Sequence, residues 1–142
     1  MSDETSLAGR LRAGYAAFNE TGDPGGILAE LDPDVELVVS ERGPEGAIVF
    51  QGHAGVTEWA RGMGDVWRNL TFEPLEIESD ATGQRALVVV RVSTRGRSSD
   101  VGVEATEAHV LTLGPKGKVS RIQAFHDLEQ ARAALGPPDP GL

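Results

Sequence analysis

The sequence predicts one α+β domain, in which helices pack on one face of a curved antiparallel sheet. Two observations point to this class. Apolar residues recur at helical spacing in the first half of the chain, whereas the second half is a series of β-rich segments separated by tight turns. The length of 142 residues and the apolar fraction of 39% suit a single domain over residues 1–142. We expect its core over about 5–136 and a loose tail over 137–142.

The first half of the chain predicts three helices and a pair of strands. One helix is expected over 5–20, and a short second helix starts at Asp23, a cap residue that precedes proline. β-branched residues over 35–40 and a short apolar run over 48–50 indicate strands on either side of a turn at 43–46. A third helix is expected over 54–67. The apolar faces of the first and third helices consist of Leu7, Leu11, Tyr15, Phe18, Val56, Trp59, Ala60, Met63 and either Val66 or Trp67.

The second half predicts four strands and a closing helix. Pro74, in the first of these strands, indicates an edge position or a bulge, because proline donates no hydrogen bond to a neighbouring strand. Asp127 follows the last strand as a helix cap, with Gln130 in the capping-box position. The four strands are expected over 72–79, 84–94, 103–113 and 118–126.

The tight turn over 114–117 indicates which side chains of the last two strands share a face. It pairs Leu113 with Lys118. Counting back along the pair, His109 then lies opposite Ile122, and directly opposed residues point to the same side of a sheet. We expect this side to be the inner one, because the other side of the last strand is polar. The same face carries Glu107, Leu111, Ser120, Ala124 and His126.

The register of the preceding strand is open, because the loop over 95–102 is longer. A pairing of Arg91 with His109 would turn Arg91 and Val89 inward, and a shift of one residue would reverse both. An inward Arg91 needs a partner of opposite charge, and Glu107 could be that partner. The sequence thus predicts a mostly apolar interior with a few polar groups near its middle.

The composition excludes several classes of function. A net charge of −9 disfavours binding to phosphate backbones and to anionic membranes, so we expect neither nucleic acid nor membrane as a partner. The absence of cysteine excludes thiolate nucleophiles and sulfur-ligated zinc, and Glu107 with His109 is too few ligands for another metal site. The polar N-terminus resembles no secretion signal, so we expect a cytoplasmic protein. We expect no cofactor.

Four segments carry a recognisable pattern: YAAFNETGD over 15–23, LDPDVE over 31–36, QGHAGV over 51–56 and HVLTLGPKGK over 109–118. In order and spacing they resemble the SnoaL-like branch of the nuclear-transport-factor-2-like superfamily, over residues 7–135. The resemblance implies a cone-shaped sheet wrapped around N-terminal helices, with an interior pocket and a homodimer formed through the sheet. Members include polyketide cyclases, ketosteroid isomerases, epoxide hydrolases, dehydratases and proteins that only bind ligands, so the fold does not decide the function.

The resemblance also implies roles for single residues. In ketosteroid isomerases, a tyrosine that matches Tyr15 and an acid at the position of His109 form an oxyanion hole. The base of those enzymes falls near Val38, or at Glu36 or Ser40 if the alignment slips. In SnoaL-like cyclases, a histidine that matches His109 works with an aspartate whose position falls near Ala124. The expected pocket residues are Tyr15, Phe18, Val38, Trp59, Met63, Arg91, Glu107, His109, Ile122 and Ala124.

Two functional hypotheses follow. In the first, the protein binds a small, largely apolar molecule and acts as a cofactor-free isomerase, cyclase or dehydratase on a carbonyl compound, with His109 and Tyr15 as catalytic residues. In the second, it is a non-catalytic ligand-binding or dimeric assembly module. His109 would then be a core histidine, and Tyr15 an aromatic residue packed on the sheet. His53 and His126 are assigned to capping, rim or surface positions.

Overall fold

A computed structural model describes residues 7–21, 27–40, 47–80, 82–96 and 102–135. Four sequence-based expectations therefore lie outside the described residues. They concern the helix start at Asp23, the turn at 43–46, most of the loop at 95–102 and the tail at 137–142.

The described chain forms three α-helices, one short 3-10 helix and six strands. The helices are α1 (Leu7–Thr21), α2 (Gly52–Val66) and α3 (Leu128–Leu135), and the 3-10 turn is Leu28–Glu30. The strands are β1 (Leu31–Ser40), β2 (Ala47–Gln51), β3 (Trp67–Ser79), β4 (Arg85–Gly96), β5 (Gly102–Leu113) and β6 (Val119–Phe125). Each agrees with a predicted element, although β1 and β3 begin four and five residues earlier than 35 and 72.

The six strands form one curved, unclosed sheet in the order β2-β1-β6-β5-β4-β3. Four pairings are antiparallel, and the β1–β6 pairing is parallel. That pair joins strands from opposite ends of the chain, so no hairpin constrains its direction. The predicted α+β class is confirmed, and the sheet is mixed where we expected antiparallel pairing throughout.

Helices α1 and α2 cover the inner face of the sheet. Alternate residues of the central strands point to these helices, because successive side chains of a strand face opposite sides. The burial of their apolar side chains is the main stabilisation of this layer. Its buried members include Leu11, Phe18, Val35, Leu37, Val56, Ala60, Phe72, Val88, Val90 and Leu111.

Helix α3 covers part of the outer face. The Oδ1 atom of Asp127 accepts a hydrogen bond of 2.9 Å from the backbone N–H of Glu129, as the predicted cap requires. The helix then packs Ala131 and Leu135 against apolar side chains of β4, β5 and β6. The sheet thus carries a second, smaller core, formed by Leu87, Val89, Ala108, Val110, Phe125, Ala131 and Leu135.

The β5–β6 register differs from the predicted one by two residues. His109 lies opposite Ala124, and Leu111 lies opposite Ile122, and the pairing is irregular between Thr112 and Leu113, next to the turn. A shift of two keeps every side chain on its predicted face, since side chains alternate with a period of two. His109 accordingly points inward and is 8% exposed.

The inward orientation predicted for Arg91 is wrong. Val88 lies opposite His109, and Arg91 lies opposite Thr106 on the outer face. There Arg91 forms an ion pair of 3.0 Å with Glu73 and contacts Glu104 at 3.8 Å. Neither Arg91 nor Val89 therefore faces the interior, and the proposed pairing of Arg91 with Glu107 does not form.

Val38 is also misplaced by the sequence-based expectation. Val35, Leu37 and Val39 belong to the inner core, so Val38 points to the opposite side of β1. Its neighbours across the ladder are Val49 and Gln123. Val38 is therefore not a pocket residue.

Pro74 lies in β3, which is an edge strand, at an irregularity of the β3–β4 pairing between Pro74 and Glu76. The edge position and the irregularity both agree with the prediction, which was made because proline has no backbone N–H to donate. Within the described ranges, no helix has the length and apolar character needed to cross a membrane.

Candidate functional site

A cavity of about 260 Å³ lies between α1, α2 and the inner face of the sheet. Of the ten pocket residues expected from the sequence, eight contribute to its wall, and Val38 and Arg91 do not. Most of the wall is apolar, because the inner faces of the helices and strands supply it. The eight are Tyr15, Phe18, Trp59, Met63, Glu107, His109, Ile122 and Ala124.

Three aromatic rings form one side of the cavity. Phe18 lies with its ring centre 6.1 Å from that of Trp59 and 5.6 Å from that of Phe72. Trp59 and Phe72 are 6.1 Å apart. The tilted arrangement of these rings is a favourable aromatic geometry, and it provides a rigid apolar surface for a ligand.

Asn19 joins this aromatic side of the cavity to α1, the helix that also carries Tyr15. Its Nδ2 group donates to the carbonyl oxygen of Phe72, and its Oδ1 atom accepts from the N–H of Phe72, both at 2.8 Å. The side-chain amide thus takes the place of a neighbouring strand beside the edge strand β3. This pair of hydrogen bonds holds α1, which also carries Tyr15, in a fixed position on the sheet.

Tyr15 and His109 form the polar centre. The hydroxyl group of Tyr15 lies 2.7 Å from Nδ1 of His109, a short hydrogen bond between α1 and β5. The two rings are nearly parallel, with centres 5.8 Å apart, and the ring of Phe72 packs against His109 at 5.6 Å. His109 is the buried polar side chain of the described core, and its tautomer is therefore set by its two partners.

Glu107 is the second partner of His109. Its Oε1 atom lies 3.4 Å from Nε2 of His109, and its Oε2 atom lies 3.9 Å from Nδ1 of His126. Desolvation alone would raise the pKa of Glu107. The hydrogen bond from His109 and the charges of His109 and His126 together outweigh it, and the pKa of Glu107 is lowered. Glu107 is thus a carboxylate at neutral pH.

Tyr15 has the opposite shift. Burial strongly raises the pKa of its hydroxyl group, and the negative charge of Glu107 raises it further. Tyr15 therefore stays protonated over the whole physiological range. It can donate a hydrogen bond, but a free phenolate is disfavoured in the resting site.

The donors and acceptors of Tyr15, His109 and Glu107 allow two protonation states of this cluster. With Glu107 ionised, Nε2 of His109 carries a hydrogen and donates it to the carboxylate. In neutral His109, Nδ1 then accepts the hydroxyl hydrogen of Tyr15. In protonated His109, Nδ1 donates to the oxygen of Tyr15, and the hydroxyl hydrogen is free for a ligand oxygen. Protonation of His109 therefore converts Tyr15 into a hydrogen-bond donor toward the cavity.

A second polar group lies at another part of the wall. The guanidinium of Arg10 donates to the backbone oxygen of Gly117 at 2.7 Å and forms an ion pair of 3.2 Å with Glu30. This pair joins α1 to the 3-10 turn and to the β5–β6 turn. Both side chains are partly exposed, so the pair marks an edge of the cavity.

The cavity-facing positions at which the family resemblance implies a further acid are apolar in this chain. The cavity-facing residues of β1 are Leu37 and Val39, and Glu36 belongs to the other face. Ala124, opposite His109, also lines the cavity and carries no ionisable group. Glu107 is therefore the carboxylate closest to the polar centre among the described residues of the wall.

Phe72, His126, Arg10 and Glu30 line the cavity but were not assigned to it from the sequence. His126 had been placed on the inner face, and the alternation that gave Glu107 and His109 would have added it to the pocket. No local signal identifies Arg10 or Glu30, because their contact depends on packing between distant turns. His53 is structural: its Nε2 atom lies 3.0 Å from the backbone oxygen of Leu31.

No group of three or more His, Cys, Asp or Glu side chains in the described part of the chain could hold a metal ion.

Comparisons with known proteins agree with this fold. The family model of the SnoaL-like domain matches residues 11–122. A putative polyketide cyclase from Xanthomonas campestris pv. campestris has a similar structure, with a TM-score of 0.73 and 20% identity, covering 95% of this chain and 100% of the other. TerC, co-crystallised with polyporic acid, has a TM-score of 0.69 and 25% identity, with coverages of 89% and 95%.

The epoxide hydrolase/cyclase-like enzyme SalBIII is also similar, with a TM-score of 0.64 and 20% identity over 81% of this chain and 85% of its own. A sequence comparison with curated proteins gives no match. The family model covers most of the chain, from α1 to β6, and the solved structures share the arrangement of sheet and helices. The chain therefore belongs to the SnoaL-like domain family.

Proposed function

We propose that the protein binds a small, largely apolar carbonyl compound in the cavity and transfers a proton on it without a cofactor. The observation that carries this proposal is the 2.7 Å hydrogen bond between Tyr15 and His109 inside an apolar cavity. A partly buried tyrosine and a buried histidine held together next to a carboxylate form an arrangement suited to general acid–base chemistry.

The size of the cavity limits the ligand. A cavity of about 150 Å³ holds benzene, so the volume of about 260 Å³ has room for a molecule of one or two rings. The ring surfaces of Phe18, Trp59 and Phe72 favour a flat, apolar body. The polar groups of Tyr15 and Glu107 favour one oxygen-bearing edge on that body.

Similar proteins support this class of ligand. TerC was co-crystallised with polyporic acid, and SalBIII takes part in pyran ring formation in the polyether salinomycin. The Xanthomonas structure is that of a putative polyketide cyclase. All three concern oxygen-bearing organic molecules, which is the chemistry that the Tyr15 hydroxyl would recognise.

The proposed step is proton removal from the carbon next to a carbonyl. Tyr15, supported by protonated His109, donates a hydrogen bond to the carbonyl oxygen. The carboxylate of Glu107 takes the proton from the neighbouring carbon, and the electron pair of the broken C–H bond moves into the carbonyl as an enolate. The hydrogen bond from Tyr15 strengthens as the negative charge develops on oxygen, which lowers the barrier.

The test uses 2-tetralone, a two-ring ketone with acidic protons beside the carbonyl. In D₂O buffer, NMR follows the replacement of these protons by deuterium, with and without protein. We expect the protein to accelerate exchange. We expect Tyr15→Phe and Glu107→Gln to reduce the acceleration by about 10²-fold or more, the usual contribution of a positioned acid or base.

Arg91→Gln is the matched control. It also alters a charged side chain of the sheet, but on the outer face, where Arg91 pairs with Glu73. This variant should retain the wild-type rate. Exchange at the same rate in wild type, Tyr15→Phe and Glu107→Gln would refute the catalytic proposal.

A non-catalytic binding protein is the second candidate. Leu37, Val39 and Ala124 favour it, because they leave the cavity without a second acid beside Tyr15 and His109. Fluorescence of Trp59 distinguishes the two, in a Trp67→Phe background that leaves it the only tryptophan. Quenching of Trp59 by 2-naphthol, together with no acceleration of exchange in 2-tetralone, would identify a binding protein.

A further inference from the structure

We propose that Glu107 and His126 form a proton relay that connects the buried His109, the partner of Tyr15, with solvent. The inference rests on the proposed function, since it names the residue through which the site exchanges the proton that it removes from a ligand. His126 is then a proton-transfer residue that acts through Glu107.

The contacts are arranged in series. Tyr15 lies 2.7 Å from one ring nitrogen of His109, and the other ring nitrogen lies 3.4 Å from Oε1 of Glu107. The second oxygen of Glu107 faces Nδ1 of His126 at 3.9 Å. One carboxylate thus lies between two imidazoles, with a different oxygen atom turned to each.

Exposure increases along the same series. The side chain of His109 is 10% exposed, that of Glu107 is 21% exposed and that of His126 is 50% exposed. A proton at His109 has little direct access to water, whereas one at His126 meets it directly. The direction from buried to exposed is what a path to solvent requires.

The distance between Glu107 and His126 determines how a proton passes from one to the other. At 3.9 Å the contact between Glu107 and His126 is an ion-pair distance and not a hydrogen bond. A bridging water, or a rotation of the half-exposed imidazole, closes it. Glu107 then gives its proton to Nδ1 of His126 while the Nε2 proton leaves to water. One proton is released, and Glu107 is again a carboxylate.

The other titratable residues of the described wall lie elsewhere. Arg10 and Glu30 are beside Gly117 in the β5–β6 turn, toward the opposite end of β5 from Glu107. Six residues of strand separate positions 107 and 113, a distance of roughly 20 Å. Glu30 is therefore not part of the same series, and it provides a matched control.

The experiment measures solvent exchange of the Nε2 proton of His109 by NMR, in ¹⁵N-histidine-labelled protein without ligand. The chain has only 3 histidines, which makes assignment by single substitution direct. We expect His126→Gln to slow this exchange by about tenfold or more, because a glutamine cannot pass a proton. Glu30→Gln should leave the rate unchanged.

His126→Lys separates proton transfer from charge. Lysine keeps a positive charge near Glu107 but holds its proton too tightly to shuttle it near neutral pH. The relay predicts slow exchange in both His126→Gln and His126→Lys. Exchange of the His109 proton at the wild-type rate in both variants, or in the lysine variant alone, would overturn the relay. Thermal unfolding of each variant shows whether altered global opening contributes to the measured rate.

The outcome is independent of the proposed function, because no ligand or turnover enters the measurement. Slow exchange in the His126 variants, combined with no reaction of 2-tetralone in wild type, would retain the relay and reject the catalytic proposal. Fast exchange in these variants, combined with a reactive wild type, would reject the relay alone.

Discussion

Tyr15 has the most strongly altered pKa among the described residues. Its hydroxyl group is desolvated and lies near the charge of Glu107, so both effects favour the protonated form. In the unfolded chain a tyrosine ionises near pH 10. The folded state therefore binds the Tyr15 proton more tightly, and the resulting stability is present below about pH 10 and is lost as pH rises further.

This shift is directly measurable, because Tyr15 is the only tyrosine of the chain. We expect the phenolate absorbance near 295 nm to appear only when the protein unfolds in alkali. Tyr15→Phe should remove most of the loss of thermal stability between pH 9 and pH 11. An absorbance change near pH 10 in protein that circular dichroism shows to be folded would contradict the buried hydroxyl.

The lowered pKa of Glu107 predicts a loss of stability in acid, where Tyr15 has no such effect. Its pKa is lowered in the folded state, so its contribution is present above the ordinary carboxyl value of about 4.3 and is lost as pH falls through the folded value. Glu107→Gln should reduce the fall in melting temperature between pH 5 and pH 3. Glu58→Gln, at an exposed site on α2, is the control and should not alter it. An unchanged acid profile in Glu107→Gln would refute the interaction with the two histidines.

At this scale the sequence was informative only in part. His109, Tyr15 and Glu107 could be placed inside from alternation and helical spacing alone. His126 follows the same alternation, but its position at the strand end, beside the Asp127 cap, favoured a rim or surface assignment. Arg10 and Glu30 meet only through the folded turns, and no pattern in the chain predicts such a contact.

At the scale of elements, the packing of α2 against β2 depends on a glycine. A Cβ atom at Gly55 would lie 2.8 Å from the backbone carbon of Phe50, closer than real Cβ contacts. Gly62, on the same helix, has no atom within 4 Å of that position. Substitution of the two glycines by alanine therefore distinguishes the effect of helix propensity on stability from the effect of close packing.

We expect Gly55→Ala to destabilise the protein by about 1–3 kcal/mol, as overpacking does. Gly62→Ala should stabilise it by up to about 1 kcal/mol, because alanine favours a helix over glycine. Urea unfolding measures both. A stabilising Gly55→Ala would show that α2 does not approach the backbone of β2 this closely.

The strands also show why one part of the register was predictable and another was not. An error of two residues between β5 and β6 left His109 on its true face, whereas an error of three, an odd number, between β4 and β5 reversed Arg91. The central residues of β4 are apolar on both faces. The charges nevertheless carry a signal: Arg85, Arg91 and Arg95 all occupy odd positions, so the even positions form the uncharged inner face.

At the scale of the whole molecule, one sheet separates two apolar layers of different use. The inner layer under α1 and α2 is larger and contains the cavity, and the outer layer under α3 is a smaller apolar cluster. The order of helices and strands predicts this division. The cavity itself depends on side-chain volumes that meet from five strands and two helices, and the sequence predicts its walls better than its volume.

The homodimer stays a prediction, with the outer face of the sheet as its expected interface. The ion pairs of Arg91 with Glu73 and Glu104 lie on that face. Light scattering at tens of micromolar should give twice the chain mass of 15.0 kDa. Arg91→Glu places like charges together and should yield monomers, whereas Arg12→Glu on α1 should not. A monomeric wild type would reject the prediction.

The most direct test of the central claim is a crystal structure of the protein with 2-tetralone. We expect the rings to lie against Phe18, Trp59 and Phe72, with the carbonyl oxygen within hydrogen-bond distance of the Tyr15 hydroxyl. A cavity filled by its own side chains, or a ketone bound away from Tyr15 and His109, would contradict it.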